Sequence, residues 1–374
     1  MHRGKITAVL GAAALAAVIV TAPAGADDAS SWSLGGSVAA QPYAVYPGSG
    51  SLESSDFSYG STTTLALALR AQGERARAEA SGETAVLTGA SALAAWAEQA
   101  SGLARPDELL VPASAPGGSD PQTLVAFRLR TLYVKLDLDW ASLTAGRQVI
   151  NYNRGVLWCP TDLFNELDLT GLSPVRLGSD ALRLAVPFDA TAGLDLAAAP
   201  VTAPADGRYS ARLSGLVAGI DGALTSARAG KGWMFGADFK ADVEIGIYGD
   251  AAYTLPDSGQ AGALQAAAGA DWSIGDFVMA AEYYYNGGGA DADPLFPGSH
   301  NLYASLAWNA TELFSLTGTV IWDVSGRSGT VLLLASLSAA QNATFQAYLE
   351  ADDVPGLGAA RAGLQAGLNI EVKF

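Results

Sequence analysis

Histidines, cysteines and close carboxylates are the side chains that most often run chemistry, and this sequence is poor in the first two. It has two histidines and one cysteine in 374 residues. His2 lies in the amino-terminal leader, so His300 stands alone beside the stretch PLFPGSH and reads as a loop residue near a strand start. No Gly-x-Ser-x-Gly occurs, no histidine pair suits a metal ion, and Cys159 has no nearby base that would make it a nucleophile. It reads as a small buried residue. Asp291 and Asp293 in NGGGADADP could hold a divalent cation weakly, but read better as a solvated acidic loop tip. No basic patch interleaved with aromatics suggests nucleic acid. The expectation is a protein that is not an enzyme, with no catalytic residue, cofactor or metal.

Arginine is the functional side chain the sequence does concentrate. Of sixteen, twelve lie between Arg70 and Arg212. What twelve arginines can do depends on which way they point, and that is decided by the elements that carry them. The last thirteen residues, AGLQAGLNIEVKF, supply the pattern: Leu364, Ala366, Leu368, Ile370, Val372 and Phe374 fall on one side and Gln365, Gly367, Asn369, Glu371 and Lys373 on the other. Successive side chains of a strand point to opposite faces, so this is a strand with one apolar face.

The chain is 50% hydrophobic yet carries a formal net charge of −16. A membrane helix needs about 20 apolar residues in a row. The nearest approach is ITAVLGAAALAAVIV at 6–20, which follows Arg3 and Lys5 and precedes Ala24-Gly25-Ala26. That is the layout of a secretory signal peptide cut after Ala26, so residues 1–26 are read as leader and 27–374 as the mature domain. Losing Arg3 and Lys5 takes 21 basic residues to 19 against 37 acidic ones, a net of −18. One cysteine makes no internal disulfide.

Ten-residue alternating segments recur along the chain. In GWMFGADFKADV, Trp233, Phe235, Ala237, Phe239 and Ala241 oppose Met234, Gly236, Asp238, Lys240 and Asp242. Their length of about 9–11 residues fits a tilted membrane strand, and aromatics sit near their ends, where headgroups lie. If the last strand descends, long loops fall at about 351–361, 324–328, 286–299, 255–261, 229–231, 200–207, 151–178, 86–122 and 42–61. Short turns fall near 340, 310, 274, 242, 219, 190, 140 and 73. This gives an all-β, transmembrane antiparallel barrel of about 18 strands, with 16 as the runner-up. The turn near Asp242 lacks Gly or Pro, ALAAWAEQASGLA suggests a short helix in an outer loop, and strand 123–139 changes phase near Thr131, which predicts a bulge.

A final strand ending in an aromatic resembles the carboxy-terminal signature of Gram-negative outer-membrane barrels. The resemblance implies that Leu364 through Phe374 close on the first strand and that Phe374 is the assembly signal read by the barrel-assembly machinery. A second block, AGRQVINYNRGVLWCPTDLFNELDLTGLSPVRLGSDALRLAVPF, resembles porin-like outer-membrane families, including alginate-export-type barrels. The matching residues are Gly146, Arg147, Gln148, Pro160, Asp162, Phe164, Gly178, Asp180, Ala181 and Arg183. This resemblance implies that the loop 151–178 folds inward, against or into the lumen.

Alternation places Arg70, Arg75, Arg77, Arg128, Arg130, Arg183 and Arg212 opposite the apolar sets. A lipid-facing Arg costs roughly 2–4 kcal/mol at mid-membrane, so that side should be wet. The expected pore-lining and constriction residues are Arg75, Arg77, Arg128, Arg130, Arg147, Arg183 and Arg212, faced by Asp162, Glu166 and Asp168 from the inward loop. Arg147 shares parity with Leu143, Ala145 and Val149, so alternation alone does not put it inside. A plainer role for the arginines is to pair with acidic residues and stiffen the wall. The function this predicts is a porin: a channel in the cell outer membrane for passive diffusion of small hydrophilic solutes. A basic wall favours polar or anionic solutes such as sugars or carboxylates, while acidic loops favour cations at the mouth. A non-conducting surface barrel or adhesin is the alternative, and an outer-membrane enzyme a weaker one. The bilayer is an expected partner. Monomer and homo-oligomer stay open, because an apolar contact wall reads like a lipid-facing one.

Overall fold

The computed structural model describes residues 31–46, 57–100, 108–112, 123–152, 154–169, 171–200, 207–230, 232–352 and 363–374. The leader lies outside the described residues, as do parts of the longest loops.

Eighteen strands form one closed antiparallel sheet. The first six are β1 (Ser31–Tyr46), β2 (Ser58–Gln72), β3 (Ala76–Gly89), β5 (Thr123–Asp137), β6 (Ser142–Gln148) and β9 (Ser179–Pro187). Next come β10 (Gly193–Ala199), β11 (Arg208–Val217), β12 (Ile220–Ala229), β13 (Gly232–Val243), β14 (Ile245–Pro256) and β15 (Ala263–Ile274). The circuit ends with β16 (Phe277–Asn286), β17 (His300–Trp308), β18 (Phe314–Asp323), β19 (Ser328–Ala340), β20 (Ala343–Asp352) and β21 (Gly363–Lys373). Each pairs with the next, and β21 closes on β1 from Ser37↔Lys373 to Tyr46↔Leu364. The sixteen-strand alternative is thereby excluded.

Three smaller strands lie off this circuit: β4 (Glu108–Pro112), β7 (Leu167–Asp168) and β8 (Val175–Arg176). β6 pairs with β5 only from Leu132 to Asp137. β4 takes up the rest of that edge, pairing Glu108↔Arg128 through Pro112↔Leu124, so little of the long strand is left unpaired.

The turns fall where the alternation broke. Short ones occupy 73–75, 138–141, 188–192, 218–219, 244, 275–276, 309–313 and 341–342. The predicted helix is also there, at Ala90–Ala100. Its buried Ala92 packs on Ala85, Leu87, Leu124 and Ala126. The predicted bulge lies between β3 and β5, where Ser81 pairs with Thr131 but Gly82 pairs with Leu129. Arg130 is the extra residue, so the strand keeps Arg128 and then Thr131 on the same face.

The outer surface is apolar. Leu65, Leu67, Leu69, Phe127, Leu182, Leu213, Leu224, Trp233, Phe235, Phe239, Leu306, Trp308 and Leu368 are all exposed. A surface this greasy around a sheet with no open edge meets the requirement of lipid, which offers no partner to a backbone N–H or C=O. No helix among the described residues is long and apolar enough to cross a membrane.

The turn expected near Asp242, which lacks Gly and Pro, is tight. It centres on Glu244 rather than Asp242, and Glu244 takes φ 71 between the paired residues Val243 and Ile245. A left-handed backbone is costly for any residue with a Cβ. Glu244→Gly is therefore expected to stabilise the barrel by roughly 0.5–1 kcal/mol, and Glu244→Val to weaken it. Urea titration in detergent micelles, followed by tryptophan fluorescence, checks both signs.

Candidate constriction inside the barrel

The inward faces carry the charges, and nearly every charge has a partner. Glu83 of β3 accepts from both arginines of the bulged strand: Arg128 Nη1 at 3.0 Å, and Arg130 Nε and Nη2 at 3.0 and 2.9 Å. Arg128 Nε also donates to Glu108 of β4 at 2.7 Å. Next to this cluster Arg70 binds Glu79, Arg77 lies 3.6 Å from Asp137, and Lys135 also reaches Asp137. On β9 and β10, Arg183 Nε donates to Asp195 at 2.6 Å. Arg212, only 5% exposed, is held by Asp238. The expected basic wall is thus a ladder of alternating ion pairs. Antiparallel register explains it: Arg70↔Glu79 and Glu83↔Arg128 are direct cross-strand partners, and Arg183 reaches Asp195 diagonally across β9 and β10.

Segment 149–178 leaves β6 and runs across the inner wall. Tyr152 donates to Asp195, and the Arg212 guanidinium sits 4.7 Å above its ring. Arg154 bonds Asp238 at 3.0 Å and also Asp221. Three consecutive backbone N–H groups, of Val156, Leu157 and Trp158, donate to Glu282 at 3.1, 2.9 and 3.0 Å. Cys159 Sγ and the Thr161 hydroxyl donate to Asp250 at 3.1 and 2.7 Å. Arg208 reaches back to the Leu163 carbonyl. Trp158 stacks on Tyr284 with centroids 5.3 Å apart, and Phe296 meets it edge-on. The segment therefore rests on β10 through β16, while the helix Ala90–Ala100 packs on the inward residues Ala85, Leu87, Leu124 and Ala126. Gly155 permits the approach, since a Cβ there would lie 2.7 Å from Glu282 and Tyr248.

The site residues expected from sequence fall in several places. Arg128, Arg130, Arg183 and Arg212 stand on the inner wall, as does Arg77 toward its lower end. Arg75 is at the rim of a short turn, 65% exposed and paired with Asp139. Arg147 lies with Leu143 and Ala145 on the outward register, its Nη2 2.8 Å from Asp180. Asp162 does not reach across to the wall arginines. It caps Phe164 and Asn165 within the segment and binds Arg176 at 3.0 Å. Its burial raises the carboxyl above the usual range, against the pull of Arg176 and Asn165. Asp168 is buried in the small β7–β8 pairing, and Glu166 is exposed.

Two loop readings change. Asp293 is no solvated tip: it accepts from Leu295 N, Phe296 N and the Tyr284 hydroxyl, and burial raises its pKa. It folds the loop 287–299 so that Phe296 packs on Trp158. His300 opens β17 with Nδ1 2.6 Å from the Tyr283 hydroxyl. Among the described residues no group of three or more His, Cys, Asp and Glu could hold a metal ion. Glu83, Asp195 and Glu282 were missed in the sequence, although an acid interrupting an otherwise apolar strand, as in VMAAEYYYN, marks an inward position.

A cavity of about 510 Å3 remains beside the ladder, lined in part by Glu79, Tyr133, Lys135, Thr144, Gln148 and Arg183. An apolar outside, a polar inside and a loop pinned across the bore define a membrane-spanning barrel with a narrowed, hydrated lumen. Solved structures share the fold. Acinetobacter baumannii OccAB2 superposes with TM-score 0.57 at 9% identity, over 92% of this chain and 98% of that one. Pseudomonas aeruginosa OccK5 (OpdH) gives TM-score 0.57 at 9% identity, over 92% and 97%. The outer membrane protein OprD of the same species gives 0.54 at 10%, over 91% and 93%. The fold is that of these outer-membrane porin barrels. No family model matches the sequence, and no curated protein matches it.

Glu282 is the main latch of the segment. Glu282→Ala strands three N–H groups, each worth about 1–3 kcal/mol when buried without a partner. The expected result is a looser segment and an exposed Cys159. That thiol is normally protected, since burial and the Asp250 and Asp162 carboxylates raise its pKa and leave less thiolate at any given pH. Maleimide labelling of Cys159 at pH 8 should be slow in the parent barrel and about tenfold faster or more in Glu282→Ala.

Proposed function

We propose that the protein is an outer-membrane channel through which small hydrophilic solutes diffuse passively, with no catalytic step. The observation that carries this reading is the cluster Arg128–Arg130–Glu83–Glu108: paired charges on the inner face of a wall whose outer face is hydrocarbon-like. Such a face needs water beside it. The shared fold with outer-membrane porins supports the compartment, and so does the signal-peptide pattern at 1–26. Opposed charges across a narrow bore set a transverse field that orders dipolar and charged solutes. Because the ladder nearly cancels, its preference for anions is modest. It rests on six bases, Arg70, Arg77, Arg128, Arg130, Lys135 and Arg183, against five acids, Glu79, Glu83, Glu108, Asp137 and Asp195.

Phe374 serves assembly in this reading. It continues the last strand, exchanging hydrogen bonds with Gly36 at 3.0 and 2.9 Å, while its ring is 64% exposed. A terminal aromatic on the closing strand is therefore accessible to the assembly machinery before the barrel shuts. Phe374→Ala is expected to lower the yield of assembled barrel in the outer membrane, read as the heat-modifiable band on a semi-native gel, with little change in the channel properties of the barrels that form.

Planar-bilayer recording tests the channel itself. The parent barrel should conduct, with a reversal potential in a KCl gradient close to zero. Glu83→Gln frees guanidinium charge and should shift the potential toward anions; Arg128→Glu with Arg130→Glu should shift it toward cations. A barrel that inserts but passes no current would favour the surface or structural role. Current without either shift would mean that the two arginines do not line the passage.

A further inference from the structure

The arc of wall from β17 to β1 differs from the ladder. Among the described strands, β17 to β21 and β1 carry no arginine, and the one lysine, Lys373, sits at the terminus beside Glu371. Alternation turns Ser336 of β19, Thr344, Gln346 and Tyr348 of β20, Gln365 and Asn369 of β21, and Gln41 of β1 toward the lumen. These are amides and hydroxyls, with Glu350 and Glu371 on the same face toward its two ends, and they are wired into two fixed groups. Gln41 Nε2 and Gln365 Nε2 both donate to the Tyr348 hydroxyl, at 3.2 and 2.9 Å. Asn369 Nδ2 donates to Gln346 Oε1 at 2.7 Å, and Gln346 Nε2 donates to Ser336 Oγ at 3.1 Å.

Tyr348 is placed by Gly367. Its ring lies flat over that residue, where a Cβ would come within 2.6 Å of it, and the hydroxyl thereby spans β21 to reach β1. One N–H of each amide is committed to these bonds. The oxygens Gln41 Oε1, Gln365 Oε1 and Asn369 Oδ1 receive no donor from the described residues, and all three side chains are half-buried. Beside them on β19, Leu332 and Leu334 take the inward positions, each half-buried. They adjoin β18, whose Ile321 packs on the Trp158–Phe296–Tyr303 cluster.

We infer that this face is a binding track for uncharged polyhydroxylated solutes of about monosaccharide size, resting on the channel reading above. Fixed carbonyl oxygens accept hydroxyl donors. The adjacent leucines cover C–H faces, and a face with no arginine, flanked by Glu350 and Glu371, gives no advantage to an anion. Fixing the amides beforehand lowers the ordering cost that a solute would otherwise meet. Anionic solutes are drawn instead to the ladder on the adjoining arc, which begins at β2.

The test uses the full barrel in proteoliposomes and planar bilayers, with glucose and gluconate as the neutral and anionic probes. The parent should conduct KCl, admit both probes, and show current noise on adding glucose. The double variant Gln346→Leu with Gln365→Leu should admit glucose about five- to tenfold more slowly and lose the glucose noise. Its KCl conductance and gluconate entry should change by less than about twofold. Gln365→Asn, which keeps an amide, should restore part of the glucose entry. Heat modifiability on a semi-native gel confirms that each variant is assembled. Glucose entry unchanged in the double variant, or glucose, gluconate and KCl falling together, would overturn the track while leaving the channel standing. A parent barrel that conducts nothing would overturn the channel reading, and the track with it.

Discussion

The structure follows from one constraint: within hydrocarbon, each backbone N–H and C=O must find its partner inside the protein. A sheet satisfies this only when it closes, and closure here depends on β21 meeting β1 along Ser37↔Lys373 to Tyr46↔Leu364. Closure then dictates the side-chain pattern. Alternate residues face lipid or lumen, so every strand must be greasy on one side and is free to be polar on the other. It also explains β4. Where the seven-residue β6 stops short of the fifteen-residue β5, the exposed edge is taken by Glu108–Pro112, returned from the helical excursion.

Once the lumen is wet, its charges have to be managed. The wall does this by register rather than by distance along the chain. Glu83 and Arg128 are 45 residues apart in sequence and opposite each other in the sheet. Arg183 and Asp195 meet across β9 and β10, two residues off direct register. Partly buried pairs of this kind contribute little net stability by themselves, but removing one member leaves the other exposed to a costly desolvation. The ladder therefore fixes side-chain positions more than it adds binding energy to the fold. Arg154 and Arg212 share Asp238, whose side chain is fully buried, and this couples the inward segment to the wall behind it.

Much of this was legible in the sequence, and the boundary of legibility has a physical basis. Period-two alternation and turn residues are local, so strand number, turn positions, the helix at 90–100 and the bulge near Thr131 could be read directly. Pairing across the sheet is not local. It depends on stagger between neighbours, which no single strand encodes, and for that reason the arginines were assigned an inward direction without their partners. Arg147 shows the limit from the other side. Its parity with Leu143 and Ala145 was visible, and the structure keeps it on that register beside Asp180. Asp162 looked like an acid to set against wall arginines. A capping position at Phe164 and Asn165 and a guanidinium 14 residues away, that of Arg176, claim it first.

The placement of the inward segment follows from the same asymmetry of the wall. Its own donors are the Arg154 guanidinium, the N–H groups of 156–158, Cys159 and Thr161. Carboxylates are what such donors need, and the wall that offers them without a competing cross-strand arginine is β14 to β16, through Asp250 and Glu282. The arginine-rich arc from β2 to β9 cannot serve, because Glu79, Glu83 and Asp137 are already committed to Arg70, Arg77, Arg128, Arg130 and Lys135. The amide-lined arc from β19 to β1 offers mainly the neutral side chains Gln41, Gln346 and Gln365, already tied to Tyr348 and Ser336, with its carboxylates, Glu350 and Glu371, toward the two ends. Trp158 adds an apolar foothold on Tyr284 that neither of the other arcs provides. The segment thus settles against the wall whose carboxylates and aromatic ring match its donors and Trp158. The rest of the wall is a self-neutralised ion ladder and, beside it, an arginine-free hydrogen-bonding surface.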